Sequence, residues 1–171
     1  MKWDFKNFTK AELCHSQTAE NNGIPNYPTP EIEADLHDFV SARLQPFRTH
    51  LDLPLTINSG FRSKRLCKLI GSKPTSHHAL GRAVDIECRA YSTAHLAWLL
   101  YQWHEEERLP WSQIILEHHT PEDKHSGWVH WSFRRNDERG ELRMKEKGRK
   151  GYPLITPLYL KDQANIKGES K

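Results

Sequence analysis

Residues 76–85 read Ser-His-His-Ala-Leu-Gly-Arg-Ala-Val-Asp, which sets His78 and Asp85 seven positions apart with Gly81 between them. Two ligands on one helical face sit three or four residues apart, so this spacing does not suit a helix. It suits a loop that turns at the glycine and enters a strand over 83–87, where alternate side chains point to opposite faces. A neutral imidazole and a carboxylate brought together in this way are half of a zinc site. The best complement elsewhere is His130, in Gly127-Trp128-Val129-His130-Trp131. A catalytic zinc takes three protein ligands and keeps one position for water, whose pKa it lowers to about 7. Hydrolysis then needs a carboxylate or imidazole within hydrogen-bond reach of that water. Glu117 is the first choice, because it ends a strand expected to neighbour that of His130; His125 and Asp123, in the intervening loop, are the alternatives. Arg62 follows Ser59-Gly60-Phe61 at a strand end, where a guanidinium could clamp a substrate carboxylate with two parallel hydrogen bonds. Ser76 could donate to the same carboxylate or to the scissile carbonyl.

These groups need a frame, and the chain is long enough to supply one. At 171 residues it is expected to form a single domain with a real core. Hydrophobic content of 36% against 27% charged reads as globular, and the six Trp and six Phe are large packing groups. A net charge of +3 is too mild to argue for nucleic acid, though it favours an anionic surface such as a bacterial wall. Cys14, Cys67 and Cys88 are odd in number and scattered, which argues against both a disulfide framework and a cysteine zinc cage. No stretch approaches the roughly 18 apolar residues of a membrane helix. The start, Met1-Lys2-Trp3-Asp4-Phe5-Lys6, has no apolar run of signal-peptide length, so synthesis and folding in a cytoplasm are expected.

In chain order, residues 1–29 read as an N-terminal arm rich in turn formers, with a short helix capped by Thr9 and Glu12. A helix follows Thr29 and Pro30, with Ile32, Leu36, Phe39 and Val40 as its apolar stripe and Pro46 marking its end. A strand is expected over 53–58, a short helix over 64–70, the strand 83–87, and a helix capped by Ser92 or Thr93. Strands over 113–117 and 128–133 follow, joined by a polar loop over 118–126. His77, His118 and His119 read as loop histidines, Trp128 and Trp131 as sheet packing, and Cys67 and Cys88 as small buried groups. The extension 134–171 begins with a charge-dense segment, 134–151, that reads as a solvated, mobile face. This order argues for an α+β fold: a small, largely antiparallel sheet forming a zinc cleft, flanked by helices.

The pattern Ser76-x-His78-x-x-Gly81-x-Ala83-x-Asp85, followed by Trp128-Val129-His130, resembles the zinc D-alanyl-D-alanine carboxypeptidase family of murein peptidases. That family shares a superfamily with lysostaphin-type enzymes and the hedgehog signalling domain. The likeness runs from Phe8-Thr9-Lys10-Ala11-Glu12 through Ser59-Gly60-Phe61-Arg62-Ser63 to about Phe133, and within the family the chain is similar to the compact single-domain versions common in bacteriophages and prophages. It implies that His78, Asp85 and His130 hold zinc, and that Arg62 and Ser76 belong to the substrate-binding site. It also implies hydrolysis of an amide next to a D-amino acid in peptidoglycan stem peptides, by a monomer acting without nucleic acid or membrane. A lysis enzyme without a signal peptide would reach the wall through a partner pore of the holin type, or as a virion component. Relatives cut the terminal D-Ala, the cross-link or the L-Ala–D-Glu bond. Several members carry the base three residues before the last histidine ligand, as Glu, Asp or His; this chain has Gly127 there, which leaves the role to Glu117. The same departure keeps open a zinc-containing wall-binding or virion module without activity.

Overall fold

The computed structural model describes residues 2–120, 122–136 and 138–164. Asp137 and the end of the charged extension, 165–171, lie outside the described residues. The chain has helices and one sheet whose five strands, among the described residues, run in the order β1-β2-β4-β3-β5: β1 (Thr56–Ser59), β2 (Ala83–Glu87), β3 (Gln113–His119), β4 (Trp128–Ser132) and β5 (Glu141–Glu146). The sheet is mostly antiparallel, so the α+β class expected from the order of elements is the one found. The chain forms two compact units, Met1–Asp52 with Ile57–Asp85, and Leu53–Thr56 with Ile86–Lys171.

The first unit opens with α1 (Lys10–Cys14), where the expected capping box is present: Thr9 accepts from the Glu12 N–H while Glu12 reaches back to the Thr9 N–H. A second short helix, α2 (Gln17–Asn21), capped by Ser16, lies in what reads from the sequence as an arm of turns. Helix α3 (Pro30–Phe39) has its cap at Thr29 and its proline in the first turn, as expected. Pro46 does not end it. A π-helical turn, Val40–Leu44, shifts the hydrogen-bond register, so that the Gln45 N–H bonds to the Val40 carbonyl. The chain then continues as α4 (Gln45–Leu51), with Pro46 in its first turn, where a missing N–H is tolerated. Leu36, Phe39, Val40, Leu44 and Phe47 are all buried along this helical stretch. Helix α5 (Lys64–Leu69), capped by Ser63, follows β1 in the same unit.

In the second unit α6 (Thr93–Glu107) lies on β3 and β4 and is covered by α7 (Pro157–Ala164). Ser92 is the cap of α6. Trp103 of α6 meets Trp131 of β4 edge to face at 6.0 Å, and Trp131 is fully buried, as the packing role read from the sequence requires. Strands β3 and β4 pair antiparallel, with Ile115 opposite His130 and Glu117 opposite Trp128.

Two further features depart from the sequence reading. Strand β3 runs on to His119, so His118 and His119 are strand residues, and His119 is buried. The segment 134–151 is not simply a solvated face: it contains β5, which pairs parallel to β3 and buries Leu142 and Met144. The outer edge of β5 is covered by the following chain, with Met144 N–H donating to the Pro153 carbonyl and Ile155 N–H to the Leu142 carbonyl. Charge density hid this strand, because only two of its six residues are apolar and the rest face outward or into ion pairs.

One such ion pair has a measurable signature. Glu141 accepts from Arg143 Nε and Nη2 at 3.0 Å each, from Gln113 at 3.1 Å and from Arg139 at 3.2 Å. The Arg143 guanidinium holds the Glu141 carboxyl down to about 2 against the opposing effect of burial, with Gln113 and Arg139 adding to the fall. A carboxyl whose folded pKa is depressed contributes stability that is present above its unfolded value and lost as pH falls through the folded one. Denaturant unfolding should therefore show stability falling from its ordinary value of 4.5 toward about 2, and Glu141→Gln should flatten that part of the profile.

Candidate metal centre

His78 begins a tight 3-10 turn, His78–Leu80, that closes on Gly81 at φ 67°. The glycine is required twice over: its backbone is left-handed, and a Cβ would lie 2.7 Å from the Ile32 carbonyl oxygen of α3. The loop turning at a glycine into a strand, read from the sequence, is therefore the observed arrangement. Ser76 lies just before this turn, its Oγ accepting from the Ala79 N–H at 3.3 Å. Its Oγ also lies 3.7 Å from Cys67 Sγ.

The His78 ring is buried, with Nδ1 2.7 Å from the Gly60 carbonyl oxygen. A carbonyl can only accept, so Nδ1 carries a proton, and Nε2 is the nitrogen placed to face an ion. Nε2 lies 3.2 Å from Asp85 Oδ1. The other carboxylate oxygen of Asp85 is bound by Arg62 Nη2, and Arg62 Nε donates to Ser59 Oγ at 2.8 Å. Arg62 thus pairs with the Asp85 carboxylate and orients it.

The backbone around Arg62 is held by Asn26, a buried residue of the N-terminal arm. Its amide donates to the carbonyls of Cys14 and Phe61 at 2.8 and 3.0 Å and accepts from the Ser63 N–H at 2.7 Å. Neither Asn26 nor the Gly60 carbonyl was found from the sequence. A backbone carbonyl has no residue signature, and Asn26 sits in a run of Asn, Pro and Gly that reads as loop.

His130 is buried on β4. His78, Asp85 and His130 each offer one ligand atom, and those atoms all lie within 4.8 Å of one another. Two imidazoles and one carboxylate, buried, with a backbone carbonyl and a guanidinium supporting two of them, fit a catalytic zinc with its fourth position left for water.

Glu117 is half-buried on β3. Because Ile115 stands opposite His130 and side chains alternate, Glu117 shares the His130 face of the sheet and lies diagonal to it, within reach of a long side chain. Past Glu117 the strand bulges: the register against β5 shifts between Glu117 and His119, and His118 has φ 56°. The His118 ring stacks on Trp128 at 5.0 Å. Burial pushes the His119 imidazole below its ordinary pKa. Asp123 and His125 are exposed; the Asp123 carboxylate accepts from the His125 N–H at 3.1 Å, within a loop that Ser126 Oγ ties to the Thr120 N–H at 2.7 Å. His77 is outside the three-residue set.

The glycine at position 127 has a structural cause. Its φ is 69°, and a Cβ there would lie 1.8 Å from the Glu117 carbonyl oxygen. The backbone of the returning loop passes so close to β3 that no side chain fits, so a base cannot be carried at 127 along this loop path.

His78, Asp85 and His130 form a buried set that could hold a metal ion, with Glu117 on the same sheet face as His130. The family model for Peptidase M15 matches residues 6–110, and the chain belongs to that family, the zinc D-alanyl-D-alanine carboxypeptidase family of metallopeptidases. The match includes Arg62, Ser76, His78 and Asp85, and stops short of Glu117 and His130. None of the curated proteins matches the chain. As expected from these contacts, Gly127→Ala should destabilise the protein by about 3 kcal/mol or more in urea unfolding, since it combines a left-handed backbone with a hard clash.

Proposed function

We propose that this protein is a zinc-dependent peptidoglycan peptidase that hydrolyses an amide bond next to a D-amino acid in stem peptides, with Glu117 as its general base. The observation that supports this most directly is the convergence of His78, Asp85 and His130 to within 4.8 Å in a chain of the M15 family. When bound, zinc supplies a Lewis acid that brings the pKa of a water molecule to about 7.

His78 offers Nε2 because Gly60 holds the proton on Nδ1, and Asp85 offers Oδ1 because Arg62 holds Oδ2. Glu117 takes a proton from the attacking water and passes it to the departing amine. Its place on the His130 face supports this role over Asp123 and His125, which lie exposed on the loop. Arg62 uses Nε and Nη2 on Ser59 and Asp85, which leaves Nη1 for a substrate carboxylate. Ser76, held at the start of the His78 turn, lends its hydroxyl to the same end of the substrate.

The protein acts as a monomer and takes peptidoglycan, not nucleic acid, as its partner. Among the described residues no helix is long and apolar enough to cross a membrane. A phage or prophage lysis role, with passage to the wall through a partner pore, agrees with the compact single catalytic domain that the motifs resemble.

Purified protein should hold about one zinc per chain, and a chelator should abolish lysis of outer-membrane-permeabilised cells. Lysis that survives complete metal removal overturns the reading. His78→Ala should lose both metal and turnover. Glu117→Ala should keep the metal while kcat falls by about 100-fold or more; an unchanged rate would move the base to His125 or Asp123. Mass spectrometry of digested muropeptides identifies the bond cut. Wall binding without release of peptides or amines would instead mean an inactive zinc-containing module.

A further inference from the structure

Beyond Asp85 strand β2 leads into a groove that neither the proposed metal ligands nor Glu117 lines. Glu87, Cys88, Arg89, Tyr91, Thr93 and His125 line a cavity of about 300 Å³. That volume is at the lower end for small-ligand sites and suits one amino-acid side chain.

Its walls are preorganised. Strand β2 ends at Glu87, the chain turns through Arg89 and Ala90, and Ser92 caps α6. Tyr91 packs on His95, ring centroids 4.7 Å apart. Thr93 ties the opposite lip in place: its N–H donates to the Lys124 carbonyl and its hydroxyl to the Ser126 carbonyl, at 2.9 Å each. His125 lies between those two anchors, five residues before His130.

Position and charge give the groove a chemical preference. Glu87 lies two residues past the ligand Asp85 on one strand, so it shares the Asp85 face at a Cα separation of roughly 7 Å. A side chain next to a bond cleaved at the metal would reach this far. The lining holds one carboxylate and one guanidinium, and the buried Cys88 adds an apolar floor. An ammonium is matched by Glu87 and a carboxylate by Arg89, while the methylene stem between them and the peptide backbone is matched by Tyr91 and Cys88.

We propose that this groove is the specificity subsite of the peptidase, and that Glu87 and Arg89 select a stem-peptide residue whose side chain ends in both an ammonium and a carboxylate, a diamino dicarboxylic acid, over one ending in an ammonium alone. The proposal rests on the peptidase reading above. It is separable from it, because Glu87 and Arg89 have no part in holding metal or moving protons.

The test uses zinc-loaded protein and two muropeptides that differ only in this residue, one with the diamino dicarboxylic acid and one with lysine. Wild-type protein should favour the first by about tenfold or more in kcat/KM, the worth of one charge-assisted hydrogen bond. Arg89→Gln should erase most of that preference by raising KM for the first substrate, with a much smaller effect on the second. Glu87→Gln should raise KM for both, since both present an ammonium, and zinc content should be unchanged in either variant. Equal use of the two muropeptides by wild-type protein, or equal losses on both in Arg89→Gln, overturns the subsite. Calorimetric titration of the same muropeptides separates the two readings. Binding of the first that is lost in Arg89→Gln, without hydrolysis by wild-type protein, would sustain the subsite and sink the peptidase; hydrolysis without the preference would do the reverse.

Discussion

The hydrogen bond between His78 Nδ1 and the Gly60 carbonyl is the constraint on which the metal centre depends. An imidazole has two nitrogens and one exchangeable proton in its neutral form, and a ligand nitrogen must be the one without it. Giving Nδ1 a carbonyl to bind settles the tautomer and the ring plane together. The turn that carries the ring is itself fixed, by Ser76 at its start and by a left-handed Gly81 pressed against the Ile32 carbonyl at its end. A side chain with several rotamers is thereby reduced to one useful orientation before any ion arrives.

The same economy applies to Asp85. A buried carboxylate without partners is costly, and one with two different partners is oriented by them. Arg62 binds one oxygen, which turns the other toward His78. Arg62 in turn is steadied by Ser59 and, through the backbone of residues 61–63, by the buried amide of Asn26. The N-terminal arm therefore acts as part of the support for the candidate metal ligands. Its short helices, each with its own side-chain cap, hold the arm in a defined path despite their length.

On β3 and β4 the constraint is backbone proximity. The loop that returns from His119 to Trp128 approaches the Glu117 carbonyl so closely that only glycine can stand at 127. The position at which several relatives carry an acid is thus closed to any side chain here. The acid on the His130 face comes from the neighbouring strand, at a position set by the antiparallel register. His118, with its left-handed backbone and its ring stacked on Trp128, absorbs the irregularity that this close return creates.

Much of this was legible in the residues themselves. Helix caps at Thr9, Thr29 and Ser92 are local contacts within four residues, so sequence alone determines them. The loop–glycine–strand path from His78 to Asp85 is similarly local, and so was the pairing of a histidine and a carboxylate as metal ligands. Other features were decided only by tertiary structure. The π-turn that carries a helix through Pro46 depends on a register shift that no residue type announces. Strand β5 takes its place from parallel pairing with β3, which outweighs the polar character of its sequence. The Gly60 carbonyl, the second role of Arg62 and the closure of position 127 all arise between segments far apart in the chain. Residue types and spacing name the groups able to do the chemistry; long-range backbone contacts choose the nitrogen, the oxygen and the strand that present it.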